Sequence, residues 1–82
     1  MRVSLNIFMY LYELDINKVA NISVLKNSNE SISRLSEMGV MPGTEVRVVK
    51  KTPFGGPIQI KLNNNYIIIR KEDAQMIEVE VK

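Results

Sequence analysis

The carboxylates are the residues whose types and spacing come closest to a chemical site in this chain. Glu72 and Asp73 are adjacent, and Glu78 and Glu80 alternate near the end of the sequence. Transition metals usually also require imidazole or thiolate ligands, and the sequence contains no histidine and no cysteine. Adjacent carboxylates on a turn, or alternate ones on a strand, are usually solvated charges. We therefore predict no metal site and no bound cofactor.

The hydroxyl groups do not form a catalytic arrangement either. The serines, at positions 4, 23, 28, 31, 33 and 36, have no histidine to activate them as nucleophiles. No carboxylate or lysine stands in a constellation typical of general acid–base catalysis. The pair Gly55–Gly56 is too short and too closely bounded by prolines to cradle a phosphate. The sequence therefore predicts a protein that is not an enzyme and has no catalytic residue.

Length and composition limit the chain to one small folded domain. A chain of 82 residues has no room for a second core, and 45% hydrophobic with 24% charged residues is typical of a globular domain. The net charge of +2 is too small to indicate a nucleic-acid-binding protein by itself. The apolar start lacks the cleavage site of a signal peptide, and no apolar stretch reaches the roughly 18 residues of a membrane span. We expect a cytoplasmic protein that reaches a membrane only through a partner.

Apolar residues that alternate with polar ones predict a mainly β fold. The alternating positions are Ala20, Ile22, Val24, Val46, Val48, Ile58, Ile60, Leu62, Ile77, Val79 and Val81. The stretch from Tyr66 to Arg70 predicts one more strand, and Asn63 to Asn65 before it tolerate a left-handed turn. Short strands at this regular spacing predict a small SH3-like antiparallel barrel of about five strands.

One short α-helix is predicted between the first two of these strands. Ile32, Leu35 and Met38 lie three residues apart and therefore share one helical face. Asn27 and Glu30 before them stand at the spacing of a capping box. The sequence thus places a helix with one apolar face directly after the first strand.

The helix is predicted to end in a sharp corner. Gly39 suits the left-handed residue that follows many helices. Pro42 cannot continue a helix, and Pro42–Gly43 favours a turn in which glycine takes a positive φ. This corner, Met38 to Gly43, should direct the helix onto the sheet. Further along, Lys71 to Gln75 is expected to form a single helical turn.

Together these residues resemble the FeoA family of small bacterial proteins. The resemblance covers roughly Met9 to Val81. It depends on the order and spacing of the matching residues and not on any single motif. The matching residues are Leu11, Leu14, Arg34, Leu35, Met38, Gly39, Pro42, Gly43, Val46, Val48, Pro53, Gly55, Pro57, Ile58, Ile60, Ile69, Arg70, Ala74 and Ile77.

The chain departs from the family pattern at three places. Gly56 stands where such proteins usually carry an aspartate, and Asn17 stands near a usual glycine, whose left-handed turn asparagine can also adopt. Residues 1–8 precede the resemblance as an N-terminal extension, so residues 9–82 form the expected domain. Met9 is consequently an alternative to Met1 as the native start.

The resemblance implies an accessory role in bacterial ferrous iron uptake. Similar proteins are thought to act by direct contact with FeoB, a membrane transporter with a cytosolic GTP-binding domain. Two alternatives stay open. Small SH3-like barrels can bind RNA, for which Lys50–Lys51, Lys61 and Arg70–Lys71 offer positive charge, although interspersed acidic residues argue against it. The chain could also be a free-standing relative of the C-terminal domain of DtxR-type metalloregulators.

Two segments are candidates for contact with a partner. The loop Pro53, Phe54, Gly55, Gly56 and Pro57 is stiffened by its prolines and presents an aromatic residue, although Phe54 could instead fold back over the end of the barrel.

In the predicted corner, Val40, Met41 and Pro42 form the second candidate, since Val40 or Met41 must be exposed there. Arg70 is a further candidate that we expect to pair with a carboxylate. The exposed strand edges are compatible with a monomer or a weak homodimer.

Overall fold

The computed structural model describes residues 6–82. They form six β-strands, two α-helices and one short 3-10 helix. In chain order the elements are β1 (Ile7–Tyr10), the 3-10 helix Leu11–Glu13, β2 (Val19–Leu25), α1 (Asn29–Glu37), β3 (Glu45–Lys51), β4 (Ile58–Leu62), β5 (Asn65–Ile69), α2 (Lys71–Ala74) and β6 (Ile77–Val81).

All strand pairs are antiparallel and belong to one sheet with the order β1-β6-β2-β3-β4-β5. The predicted mainly β, SH3-like class with an inserted helix is confirmed. The strand count is six rather than about five because β1 adds to the outer side of β6, with Ile7 opposite Val81 and Tyr10 opposite Glu78. The sheet is unclosed among the described residues, so β1 and β5 are its edges.

The core lies on one side of the curved sheet and is covered by the helices and by the 3-10 segment. Alternation decides which residues enter it, as in β4, where every second residue is buried. The buried apolar residues are Leu11, Leu14, Ala20, Ile22, Leu35, Val40, Val46, Val48, Ile58, Ile60, Leu62, Ile69, Ala74, Ile77 and Val79. Both leucines of the family-like opening, Leu11 and Leu14, are among them.

Helix α1 is amphipathic, but its N-cap differs from the prediction. Ser28, not Asn27, is the N-cap, and its hydroxyl accepts a hydrogen bond from the backbone N–H of Ser31. The side chain of Asn27 is instead drawn to α2, where its Nδ2 donates to the backbone carbonyl of Asp73 at 3.1 Å. Of the predicted apolar face only Leu35 is fully buried, whereas Ile32 is half-buried and Met38, at the C-cap, is exposed.

The corner after α1 has the geometry that its residues predicted. Gly39 has φ 93°, its N–H donates to the carbonyl of Ser36, and the N–H of Val40 donates to the carbonyl of Leu35. These two bonds form a Schellman motif, and its residues Leu35 and Val40 both belong to the buried core.

A β-turn then begins at Met41. Gly43 has φ 90°, and the N–H of Thr44 donates to the carbonyl of Met41 at 3.2 Å. The N–H of Gly43 also donates to the carbonyl of Ile22 at 2.7 Å, which fixes the corner to β2. These hydrogen bonds give the corner a structural role that does not depend on contact with a partner.

Candidate functional site

The loop between β3 and β4 presents the most exposed apolar side chain among the described residues. Phe54 has a relative exposure of 105%, so its ring projects into solvent and does not fold back over the sheet. Its φ is 63°, and that of Gly55 is 73°. A left-handed conformation is unfavourable for a bulky residue such as phenylalanine. The backbone of this loop therefore holds Phe54 outward at a conformational cost.

The Phe54 loop, residues 52–57, is held in place by a residue from the start of the chain. The hydroxyl of Tyr12 donates a hydrogen bond to the carbonyl of Gly56 at 3.0 Å. The Nζ of Lys71 lies 5.9 Å from the centre of the Tyr12 ring, within cation–π range. Tyr12 thus joins the loop to the 3-10 segment and to α2. This role of Tyr12 could not be predicted from the sequence, because the two residues are 44 positions apart in the chain.

Thr52 occupies the space beside Gly56. A Cβ built at Gly56 would lie 2.3 Å from the Oγ1 of Thr52, and this hydroxyl donates to the carbonyl of Pro57 at 2.8 Å. The hydroxyl of Thr52 therefore closes the turn, and it leaves no room for a side chain at position 56 unless Thr52 moves.

The corner Met38 to Gly43 contributes less surface than its sequence suggested. Val40 is completely buried, so it is not available for contact with a partner. Met41 is 44% exposed and Pro42 is exposed beside it. Only Met41 and Pro42 therefore stay in the second candidate surface.

Arg70 forms the expected ion pair. Its Nη2 lies 3.3 Å from Oδ2 of Asp73, and the same oxygen accepts from Arg34 of α1 at 3.0 Å. Asp73 is only 7% exposed. Because burying a carboxylate requires compensating partners, Arg70 helps to neutralise Asp73 within the first turn of α2, whereas Arg34 connects α1 to α2 through the same carboxylate.

Neither metal-binding nor membrane-spanning groups are found in the described part of the chain. Among residues 6–82, no group of three or more carboxylates is close enough to hold a metal ion. Within the same range, no helix has both the length and the apolar character needed to cross a membrane.

Fold and site together define a small SH3-like domain with an outward-facing aromatic loop. Residues 9–81 match the family model described as the FeoA domain. The chain thus belongs to the FeoA family of ferrous iron transport proteins.

Solved structures agree with this assignment. The chain is similar to iron(II) transport protein A from Clostridium thermocellum, with 41% identity, a TM-score of 0.84, and coverage of 89% of this chain and 45% of that one. It is also similar to FeoA of Stenotrophomonas maltophilia complexed with zinc, described as an SH3 domain protein. That match has 33% identity, a TM-score of 0.71, and covers 87% of this chain and 88% of the relative.

A manganese-dependent transcriptional repressor shares the fold alone. It is 16% identical with a TM-score of 0.82, and the match covers 99% of this chain but 45% of the repressor. The resemblance to metalloregulators noted from the sequence is thus a resemblance of fold.

Proposed function

We propose that this protein is a cytoplasmic, non-catalytic accessory protein of bacterial ferrous iron uptake. It acts by direct contact with the cytosolic part of a FeoB-type transporter, and it reaches the membrane only through that partner. The family supports the link to ferrous iron transport. The relative from S. maltophilia is itself discussed as an activating factor of that transport.

The full exposure of Phe54 is the observation that carries the proposed contact. An aromatic side chain in solvent offers a large apolar area for a partner to bury. The loop around it is restrained by Pro53, Pro57 and the hydrogen bond from Tyr12. Little conformational entropy is therefore lost when the loop is bound. Met41 and Pro42 supply a second, smaller apolar contact.

A binding measurement with matched variants tests this proposal. The protein, labelled with ¹⁵N, is titrated with the cytosolic part of the FeoB from the same genome. We expect chemical-shift changes centred on residues 52–57 and 41–42. Phe54→Ser should weaken binding by roughly tenfold or more, which corresponds to about 1.4 kcal/mol or more for an anchor residue.

Phe8→Ser is the control, because Phe8 is also an exposed aromatic residue but lies on the edge strand β1. It should leave the affinity unchanged. Equal loss in both variants, or full affinity in Phe54→Ser, would contradict the proposed surface. Salt-sensitive binding of RNA in place of the transporter would favour the nucleic-acid alternative.

A further inference from the structure

A second surface on the outer side of the sheet carries two positive charges that form no ion pair with the described residues. Arg47 on β3 lies directly opposite Lys61 on β4. Directly opposed residues of antiparallel strands share one face, and like charges in such a pair repel each other. The neighbours Val46 and Leu62 are buried, so this pair stands on the outer face. The two cations therefore face each other at a cost to the free protein.

The row extends across four strands. Val19 of β2 is opposite Arg47, and Tyr66 of β5 is opposite Lys61. The Nζ of Lys61 lies 5.7 Å from the centre of the Tyr66 ring. The basic pair is consequently bordered by an aliphatic side chain on one side and an exposed aromatic ring on the other.

No acidic group among residues 6–82 neutralises the pair. Neither Arg47 nor Lys61 is within ion-pair distance of a carboxylate in this range. Glu45, the nearest acid on the same strand face, is already paired with Lys82. The Nε of Arg47 is shielded from solvent and has no hydrogen-bond partner among the described residues. A shielded donor without a partner is unfavourable, so the described residues leave the guanidinium of Arg47 incompletely hydrogen-bonded.

The space for such an acceptor is present. Arg47 and Lys61 line a pocket of about 180 Å³ together with Val19, Glu45, Val46 and Asn63. A guanidinium and an ammonium facing one pocket can bind a carboxylate by charge-assisted hydrogen bonds.

We propose that the Arg47–Lys61 pocket binds an aspartate or glutamate side chain from an acidic, partly apolar segment of a protein partner. Val19 and Tyr66 would contact the apolar neighbours of that side chain. A nucleic-acid strand fits less well, because its phosphates follow one another and require a track of cations, whereas this row contains one pair. This inference rests on one part of the proposed function, namely that the chain acts through contact with another protein.

A synthetic peptide probe tests the pocket without the transporter. The ¹⁵N-labelled protein is titrated with acetyl-Val-Asp-Val-Asp-Val-amide, with its asparagine counterpart and with a short oligouridylate, all at the same ionic strength. We expect saturable shifts of the amides of residues 45–47 and 61–63 and of the Arg47 Nε–Hε signal with the aspartate peptide alone. The asparagine peptide should cause none, because it lacks the charge.

Three variants complete the test. Arg47→Gln and Lys61→Gln should each weaken peptide binding by roughly tenfold, the value of one lost charge-assisted hydrogen bond. Each should also keep or raise the unfolding temperature, because it relieves the repulsion between the two cations. Lys18→Gln, which removes an exposed charge from the turn before β2, should change neither property.

Other outcomes would overturn the inference. Equal shifts with both peptides, or none with either, would exclude a carboxylate site. Preferential binding of the oligouridylate would assign the pocket to nucleic acid instead. Because the peptide contains no part of the transporter, these results are independent of Phe54-dependent binding, and either proposal can fail without the other.

Discussion

At the scale of single residues, Phe54 combines two unfavourable properties, complete exposure and a positive φ of 63°. Neither improves the fold, since a buried ring or a glycine would each be more favourable there. Strained and exposed residues of this kind are concentrated at functional sites. These two properties therefore support the proposed contact of Phe54 with a partner.

Replacing Phe54 by glycine should separate stability from binding. Glycine adopts the left-handed conformation without a steric penalty, so Phe54→Gly should leave the free energy of unfolding unchanged or raise it by up to about 1 kcal/mol. The same change removes the aromatic anchor and should weaken binding to the transporter by roughly tenfold or more, as in Phe54→Ser. Urea unfolding and the NMR titration measure the two effects. A clear loss of stability would show that the ring supports the fold.

The contact between Thr52 and Gly56 makes a second prediction at this scale. Gly56→Ala places a methyl group within 2.3 Å of the Thr52 hydroxyl, which must give up its hydrogen bond to Pro57. We expect a loss of about 1 kcal/mol of unfolding free energy.

In the Thr52→Ala background that hydroxyl is absent, and the same substitution should cost less. Urea unfolding of the two single variants and the double variant measures this coupling. Strict additivity would contradict the proposed overlap of the two groups.

At the scale of elements, the corner Met38 to Gly43 determines how α1 joins β3. The Schellman motif at Gly39 and the turn at Gly43 use backbone conformations that few residues other than glycine adopt readily. Apart from its chain neighbours, the only atom of residues 6–82 within 4 Å of a Cβ built at Gly39 is a terminal carbon of Leu62, at 4.0 Å. The requirement for glycine there is thus one of backbone conformation and not of space.

Gly39→Ala should accordingly cost about 1 kcal/mol, the usual price of a left-handed conformation for a residue with a Cβ. Gly39→Asn should cost less, because asparagine tolerates that conformation better. Thermal or urea unfolding compares the two variants. If both were equally destabilised, crowding rather than φ would be the cause.

At the scale of the whole molecule, Asp73 connects helices that are distant in sequence. Its carboxylate accepts hydrogen bonds from Arg34 of α1 and from Arg70 at the start of α2, and its backbone carbonyl accepts one from Asn27.

The sheet itself has two unpaired edges, β1 and β5, among the described residues. A monomer or weak homodimer therefore stays a prediction, which sedimentation at several concentrations would measure.

Removing the Asp73 charge should loosen the contact between the two helices. Asp73→Asn keeps the size of the side chain but weakens both arginine bonds, and we expect a loss of about 1–3 kcal/mol of unfolding free energy. Glu72→Gln is the matched control, because Glu72 is its exposed neighbour on the same helical turn. Hydrogen exchange in α1 and α2 locates the effect. Equal stability of both variants would show that the shared carboxylate is not a structural link.

Local sequence patterns determined most of the elements. Alternation places Ile58, Ile60 and Leu62 in the core, and Gly39 and Gly43 take the predicted positive φ, because both effects depend on residues that are neighbours in the chain. The left-handed turns at Asn17 and Asn63 follow for the same reason. The family resemblance likewise needed only the order of these residues.

Tertiary structure decided the features that depend on distant residues. In the tertiary structure Val40 is buried, and the Phe54 loop is hydrogen-bonded to Tyr12. Ser28 is the N-cap of α1, because the side chain of Asn27 is hydrogen-bonded to α2. The tertiary structure also sets Arg47 opposite Lys61, which no spacing along the chain reveals. Strand register and packing bring such groups together only after the chain has closed its long-range contacts. The positions of the two proposed partner surfaces are therefore properties of the fold, while the elements that carry them are properties of the sequence.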